Sequence, residues 1–184
     1  MSYLGSESVM VKSSNEQVHE DEMKILAELT KNSKESIDTL AKQCGFSRQK
    51  VRRSIKQLEA QGLIWGYTTI IDEKKIGLNH YILMLKKTSK QVRETTTDKI
   101  ILRKLEEIVE KLGITIESSY YVHGEYDWVI TFTSMDIKHA KQIYNSLITL
   151  YPGVIEKITI METLMFIRKQ NILNPDKKNL RNFL

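Results

Sequence analysis

One cysteine in 184 residues rules out an internal disulfide, and because Cys44 stands where a helical core position is expected it reads as a small buried apolar side chain. Four histidines, His19, His80, His123 and His139, are scattered singly, so no metal-ligand spacing appears. No apolar run approaches the roughly 20 residues that a membrane-spanning helix needs. The N-terminus lacks the basic, apolar, small-residue succession of a secretory signal. Nor is a nucleophile set beside a base, or a pair of carboxylates arranged as an active site needs them. These absences predict a cytoplasmic protein that is not an enzyme, carries no cofactor or metal and meets no membrane.

What is present is an ordinary globular composition, 41% apolar and 28% charged, long enough for two small domains with modest cores. The net charge is +5, but its placement matters more. Lys42, Arg48, Lys50, Arg52, Arg53 and Lys56 follow one another with no acid between Thr39 and Leu58. A merely solvated helix interleaves Glu with Lys at i, i+4 spacing. The acid-free run suits a phosphate-facing surface instead.

Ser47 is a good N-cap, and Phe46 before it can close over Val51 as a hydrophobic staple. The helix so started carries Val51, Ile55 and Leu58 on one stripe and Gln49, Arg52, Arg53 and Lys56 on the other side. Upstream, Ile37, Leu40 and Ala41 mark a shorter helix that Ser36 caps and Cys44-Gly45 ends. Short helix, glycine turn and longer basic helix make a helix-turn-helix, whose second helix enters the major groove with its first residues at the base edges. Val18 to Thr30 supplies a preceding helix through Met23, Ile25, Leu26 and Leu29. Leu63 to Asp72 is aromatic and β-branched around Gly66, which predicts a hairpin or wing.

A polar linker follows, and then a second pattern. Tyr81 to Leu85 suits a strand, Lys86 to Thr97 a long polar loop, and Asp98 to Gly113 a helix through Ile101, Leu105, Ile108 and Leu112. Ile114 to His123 and Trp128 to Phe132 predict a hairpin around Gly124-Glu125-Tyr126. Met135 to Tyr151 predicts a helix burying Ile137, Ala140, Tyr144, Leu147 and Ile148, and Val154 to Ile167 a final strand. This βαββαβ order is that of a ferredoxin-like α/β sandwich, with both helices on one face of an antiparallel sheet. Tyr81, Leu83, Trp128 and Ile130 offer apolar groups to both faces, so a second copy is the simplest cover for the other one and an obligate homodimer is expected. The expected fold class is α+β, a winged helix-turn-helix followed by a ferredoxin-like domain. Its divisions are 1–17, a flexible arm; 18–72, DNA-binding; 73–79, linker; 80–170, the ferredoxin-like dimerisation domain; and 171–184, a basic tail. The tail is either a solvated end or a docking segment for a neighbouring subunit.

Over about residues 20 to 170 the chain resembles the Lrp/AsnC, or feast/famine, transcription regulators. The resemblance is carried by Ile25-Leu26, Leu40-Ala41, Gly45-Phe46-Ser47, Val51, Ile55 and Leu58-Glu59. It continues through Gly62-Leu63-Ile64-Trp65-Gly66-Tyr67, Ile71-Asp72, Ile76-Gly77, Gly124-Glu125-Tyr126-Asp127 and Pro152-Gly153-Val154 with Thr159. It implies a transcription factor that binds double-stranded DNA, dimerises through its sensing domain and often assembles further into tetramers or octamers. It also implies an amino-acid effector near the Gly-x-Tyr-Asp turn. The loop at 86–97 is longer than that family's usual outline, and the N-terminal arm and C-terminal tail exceed it.

Ser47, Gln49, Arg52 and Arg53 are therefore expected at base edges or the nearest phosphates, with Arg48, Lys50 and Lys56 on the backbone. For an effector the candidates are Tyr121, His123, Gly124, Tyr126, Asp127 and Thr159. Turn amides can take a carboxylate and an Asp can take an ammonium group. The same residues also fit a plain hairpin turn with Tyr126 and Trp128 in a core or interface. Two other functions stay open. Some siroheme decarboxylases resemble the same family, and His80, His123 and His139 could contact a tetrapyrrole; an architectural DNA protein would lack both effector and sequence preference.

Overall fold

The computed structural model describes residues 14–89 and 94–183. They divide into two compact units: the chain up to Ile70 together with Arg168–Pro175, and Ile71–Ile167 together with the segment from Asp176. In the first unit α1 (Ser14–Lys31), α2 (Ile37–Cys44) and α3 (Arg48–Ala60) bury Ile25, Leu29, Leu40, Ala41 and Val51 together, with Phe46, Ile55 and Ile64 packed at the edge. Both predicted caps form: Ser36 Oγ accepts from Thr39 N at 3.0 Å and Ser47 Oγ from Lys50 N at 3.2 Å. Gly45 closes α2 at φ +71°, a left-handed conformation that a Cβ would strain.

Several expectations are corrected here. Helix α1 begins at Ser14, so residues 14–17 of the expected arm form its first turn, while residues 1–13 lie outside the described segment. No strand pairing occurs in residues 63–72, and Trp65 is 97% exposed. The run has strand composition, but the chain leaves it through a 3-10 turn at Glu73–Ile76, and no second run pairs with it among the described residues. That turn folds the expected linker onto the second unit, where Lys74 Nζ donates to Leu164 O at 2.7 Å. The expected tail is not a plain end, since β5 (Arg168–Lys169) pairs with β6 (Ile172–Leu173) and α8 (Lys177–Phe183) follows. Asn171 Nδ2 donates to Thr30 O at the end of α1.

In the second unit β1 (Asn79–Lys87), β2 (Thr115–Tyr121), β3 (Trp128–Ser134) and β4 (Ile155–Glu162) form an antiparallel sheet in the order β2-β3-β1-β4. This is the expected ferredoxin-like order. The loop is shorter than expected, because β1 continues to Lys87 and α4 (Glu94–Ile101) begins before Asp98; residues 90–93 are not among those described. The first helix is broken: α5 (Lys104–Glu110) starts after Arg103 turns left-handed at φ +55°. The break re-phases the apolar stripe, so Ile100, Leu105, Val109 and Leu112 face the core while Ile101 and Ile108 are exposed. The second helix likewise buries a different stripe. In α6 (Ile137–Ala140) and α7 (Gln142–Leu150) the buried residues are Ala140, Ile143, Leu147 and Leu150; Ile137, Tyr144 and Ile148 are exposed.

Strand register settles the faces. Tyr81, Leu83 and Leu85 pair with Phe132, Ile130 and Trp128, and all six are buried in the helix-side core. The expectation that Tyr81, Leu83, Trp128 and Ile130 serve both faces is therefore wrong, because their odd and even positions place them on the same side. The opposite face is made instead by Ile82, Met84, Val129, Thr131, Thr159 and Met161, none fully buried.

Candidate nucleic-acid interface and effector turn

Helix α3 has no acidic residue in its first turn, where the helix dipole favours one. Cations there are tolerated because carboxylates from other helices meet them. Arg48 pairs with Asp38 of α2, and Lys50 pairs with Asp21 of α1. Arg52, Arg53 and Lys56, by contrast, are exposed and meet no carboxylate among the described residues. Gln49 is exposed between them, and the Ser47 hydroxyl is engaged as the cap. An open cleft of about 340 Å³ lies at the turn, lined by Asp38, Lys42, Gly45, Phe46, Ser47 and Arg48.

Lys50 does not stand free on the outer face of α3. Its ammonium group is turned onto Asp21 and lies 4.2 Å from the centre of the Phe46 ring. The hydrogen bond from Lys50, helped by Gln17, holds the Asp21 carboxyl below the usual carboxylate range against the opposing effect of burial. No local pattern announces this pair, because its members are 29 residues apart. Lys42, in the cleft wall, was foreshadowed only by the acid-free charge run.

The second candidate site is the turn between β2 and β3. Asp127 anchors it: its Oδ2 accepts from Lys87 N at 2.7 Å, its own N–H donates to Leu85 O at 2.8 Å, and its carbonyl accepts from Val122 N at 3.0 Å. Lys87 Nζ lies 3.8 Å from Asp127 Oδ1. Tyr121 stacks on Trp128, with ring centres 5.6 Å apart. Tyr126 OH is 3.3 Å from Thr159 Oγ1, and this contact, with Lys157 beside the ring, holds the phenol below its usual pKa. His123 and Gly124 are exposed at the tip. Thus Tyr126 and Thr159 come together, Asp127 is tied to β1, and His123 and Gly124 meet neither pair.

The histidines do not form a common site. His80 is buried, with Nδ1 2.7 Å from Thr163 Oγ1 and Nε2 3.3 Å from Glu117 Oε2. His139 pairs with Asp136, the cap of α6, and His123 stands alone on the turn.

Residues 22–64 match the family described as winged helix-turn-helix DNA-binding. The HTH-type transcriptional regulator Ptr1 of Methanocaldococcus jannaschii is 32% identical over 118 residues, which span 64% of this chain and 72% of that protein. The regulatory protein AsnC of Haemophilus influenzae is 27% identical over 159 residues, 85% of this chain and 95% of its own. A feast or famine regulatory protein from M. tuberculosis, complexed with L-methionine, shares the fold with a TM-score of 0.66 at 18% identity, covering 86% of this chain and 99% of that one. With its capped cationic helix, its ferredoxin-like sheet and these relatives, the chain belongs to the Lrp/AsnC family of DNA-binding transcription regulators.

Proposed function

We propose that this regulator reads duplex DNA through α3, with Gln49, Arg52 and Arg53 at base edges, Arg48 and Lys56 on phosphates, and Ser47 holding the first turn in shape. The observation that carries the assignment is the group of exposed, carboxylate-free cations Arg52, Arg53 and Lys56 on one capped helix. Arginine matches guanine O6 and N7 in a bidentate manner, whereas lysine acts on phosphate as a point charge. Arg52→Ala is expected to weaken binding by about 1–3 kcal/mol and relax base preference, and Lys56→Ala to weaken all sequences alike while lowering the salt slope by about 1. Gel-shift titrations at two salt concentrations check both; equal binding by wild type and Arg52→Ala would discredit the assignment.

Residues 18–72 act as the DNA-binding domain and residues 80–170 as a sensing domain, working in the cytoplasm where the DNA is. The sensing domain takes an amino-acid effector at the Val122–Asp127 turn. Support comes from the exposed His123-Gly124 tip in the turn that Asp127 anchors, and from the methionine held by the tuberculosis relative. Two copies of the chain join through the uncovered face of the sheet, giving a homodimer that can build tetramers or octamers.

A further inference from the structure

The first turn of α3 meets α1 through the Lys50 ammonium group as well as through the core cluster that Val51 shares with Ile25 and Leu29. Asp21, in α1, has a side chain only 7% exposed. Its Oδ1 accepts from Gln17 Nε2 at 3.2 Å, and its Oδ2 receives Lys50. The same ammonium lies 4.2 Å from the centre of the Phe46 ring, with Lys24 6.0 Å from that centre. Phe46 stands between left-handed Gly45 and the cap Ser47, and it packs on the three-helix core. The backbone N–H of Lys50 donates to Ser47 Oγ, so the residue is held by its main chain and by its side-chain end. To reach a phosphate, Lys50 would have to leave the charged, largely buried Asp21 carboxylate with Gln17 as its remaining hydrogen-bond donor.

We infer that Asp21 and Lys50 are positioning residues for base reading: their ion pair, closed over Phe46, sets the direction in which α3 presents Gln49, Arg52 and Arg53, and Lys50 neutralises no phosphate. This rests on α3 being the reading helix. If Arg52→Ala binds as wild type does, that assignment fails and the inference falls with it.

The test is equilibrium binding of the full chain across a range of salt to two duplexes, one selected by the wild type from a random library and one a scramble of it. A lost phosphate contact lowers the slope of log K against log salt by about 0.9. Lys50→Met is expected to keep the wild-type slope on both duplexes while narrowing their affinity ratio by about tenfold, the scale of one misplaced bidentate contact. Simple loss of fold would lower both affinities together and leave their ratio intact. Lys50→Arg keeps the ion pair and restores the ratio. Asp21→Asn frees the ammonium, narrowing the ratio and steepening the slope by up to about 0.9. A slope that falls by about 0.9 in Lys50→Met, with both duplexes weakened equally, makes Lys50 a phosphate contact and overturns the inference. An unchanged ratio in Lys50→Met and Asp21→Asn overturns it too. Should Lys50→Met fail to fold, Asp21→Asn with Lys50→Met leaves no unpaired charge and carries the same comparison of ratios.

Discussion

Tyr151 illustrates how a single polar atom can cost a core something. Its ring is 2% exposed and meets Trp128 edge to face at 5.7 Å, yet its hydroxyl has no hydrogen-bond partner among the described residues. Burial, with Glu106 and Tyr121 nearby, pushes its pKa up to about 12. A raised folded pKa means that the stability linked to the neutral phenol is complete below about pH 10 and is lost as pH rises through about 12. Tyr151→Phe keeps the ring contact and removes the unpaired hydroxyl, so stability near neutral pH should be unchanged or rise by about 1 kcal/mol. Its alkaline unfolding limb should also shift to higher pH. Denaturant titrations at neutral and alkaline pH measure both; a variant that is clearly less stable would reveal a partner for the hydroxyl.

At the scale of elements, the Val122–Asp127 turn shows how anchoring and chemistry can be separated. Asp127 accepts a structural hydrogen bond from Lys87 N through one carboxylate oxygen, and its other oxygen lies 3.8 Å from the Lys87 ammonium group, which an effector's ammonium would have to share. Asp127→Asn keeps an oxygen that can accept from Lys87 N but removes the charge. Melting temperature should therefore hold, while affinity for the amino acid falls about tenfold or more, the worth of a charge-assisted hydrogen bond. Calorimetric titration with each of the L-amino acids provides the readout, and absence of heat with every one of them in the wild type would remove the effector reading. Elements with local signals were legible in the sequence. Ser36, Gly45 and Ser47 bound the helix-turn-helix through contacts within a few residues, and the strand and helix order of the second unit follows from periodicity. Pairing between distant residues was not legible. The strand-like run at 63–72 has no ladder partner among the described residues, Asp21 meets Lys50 across two helices, and nothing like Gly or Pro at Arg103 announces the helix break. A continuous apolar run such as Tyr81 to Leu85 declares a strand without saying which face is covered.

For the molecule as a whole, the decisive surface is the sheet face away from α5 and α7. An antiparallel sheet can leave one face to water when that face is polar. Here Ile82 and Met84 of β1 lie beside Val129 of β3 and Met161 of β4, with Thr131 and Thr159 between them and the Lys86–Lys157 pair at one margin. At the opposite end Phe166 already covers His80, 4.8 Å away edge to face, while the central strip stays only partly buried among the described residues. A two-fold axis through that strip would pack each β1 against its own copy, which needs no partner of different chemistry. Met84→Lys tests this at the centre. In a dimer joined there, it would forfeit about 1.5–3 kcal/mol of apolar burial in each copy and force two like charges together where little water reaches them. The helix-side core is on the other side of the sheet and should keep its secondary structure. Sedimentation is expected to show a folded monomer, and binding to a palindromic duplex should weaken to the level of one half-site. If Met84→Lys sediments as a dimer at the concentration where the wild type does, the two copies join elsewhere.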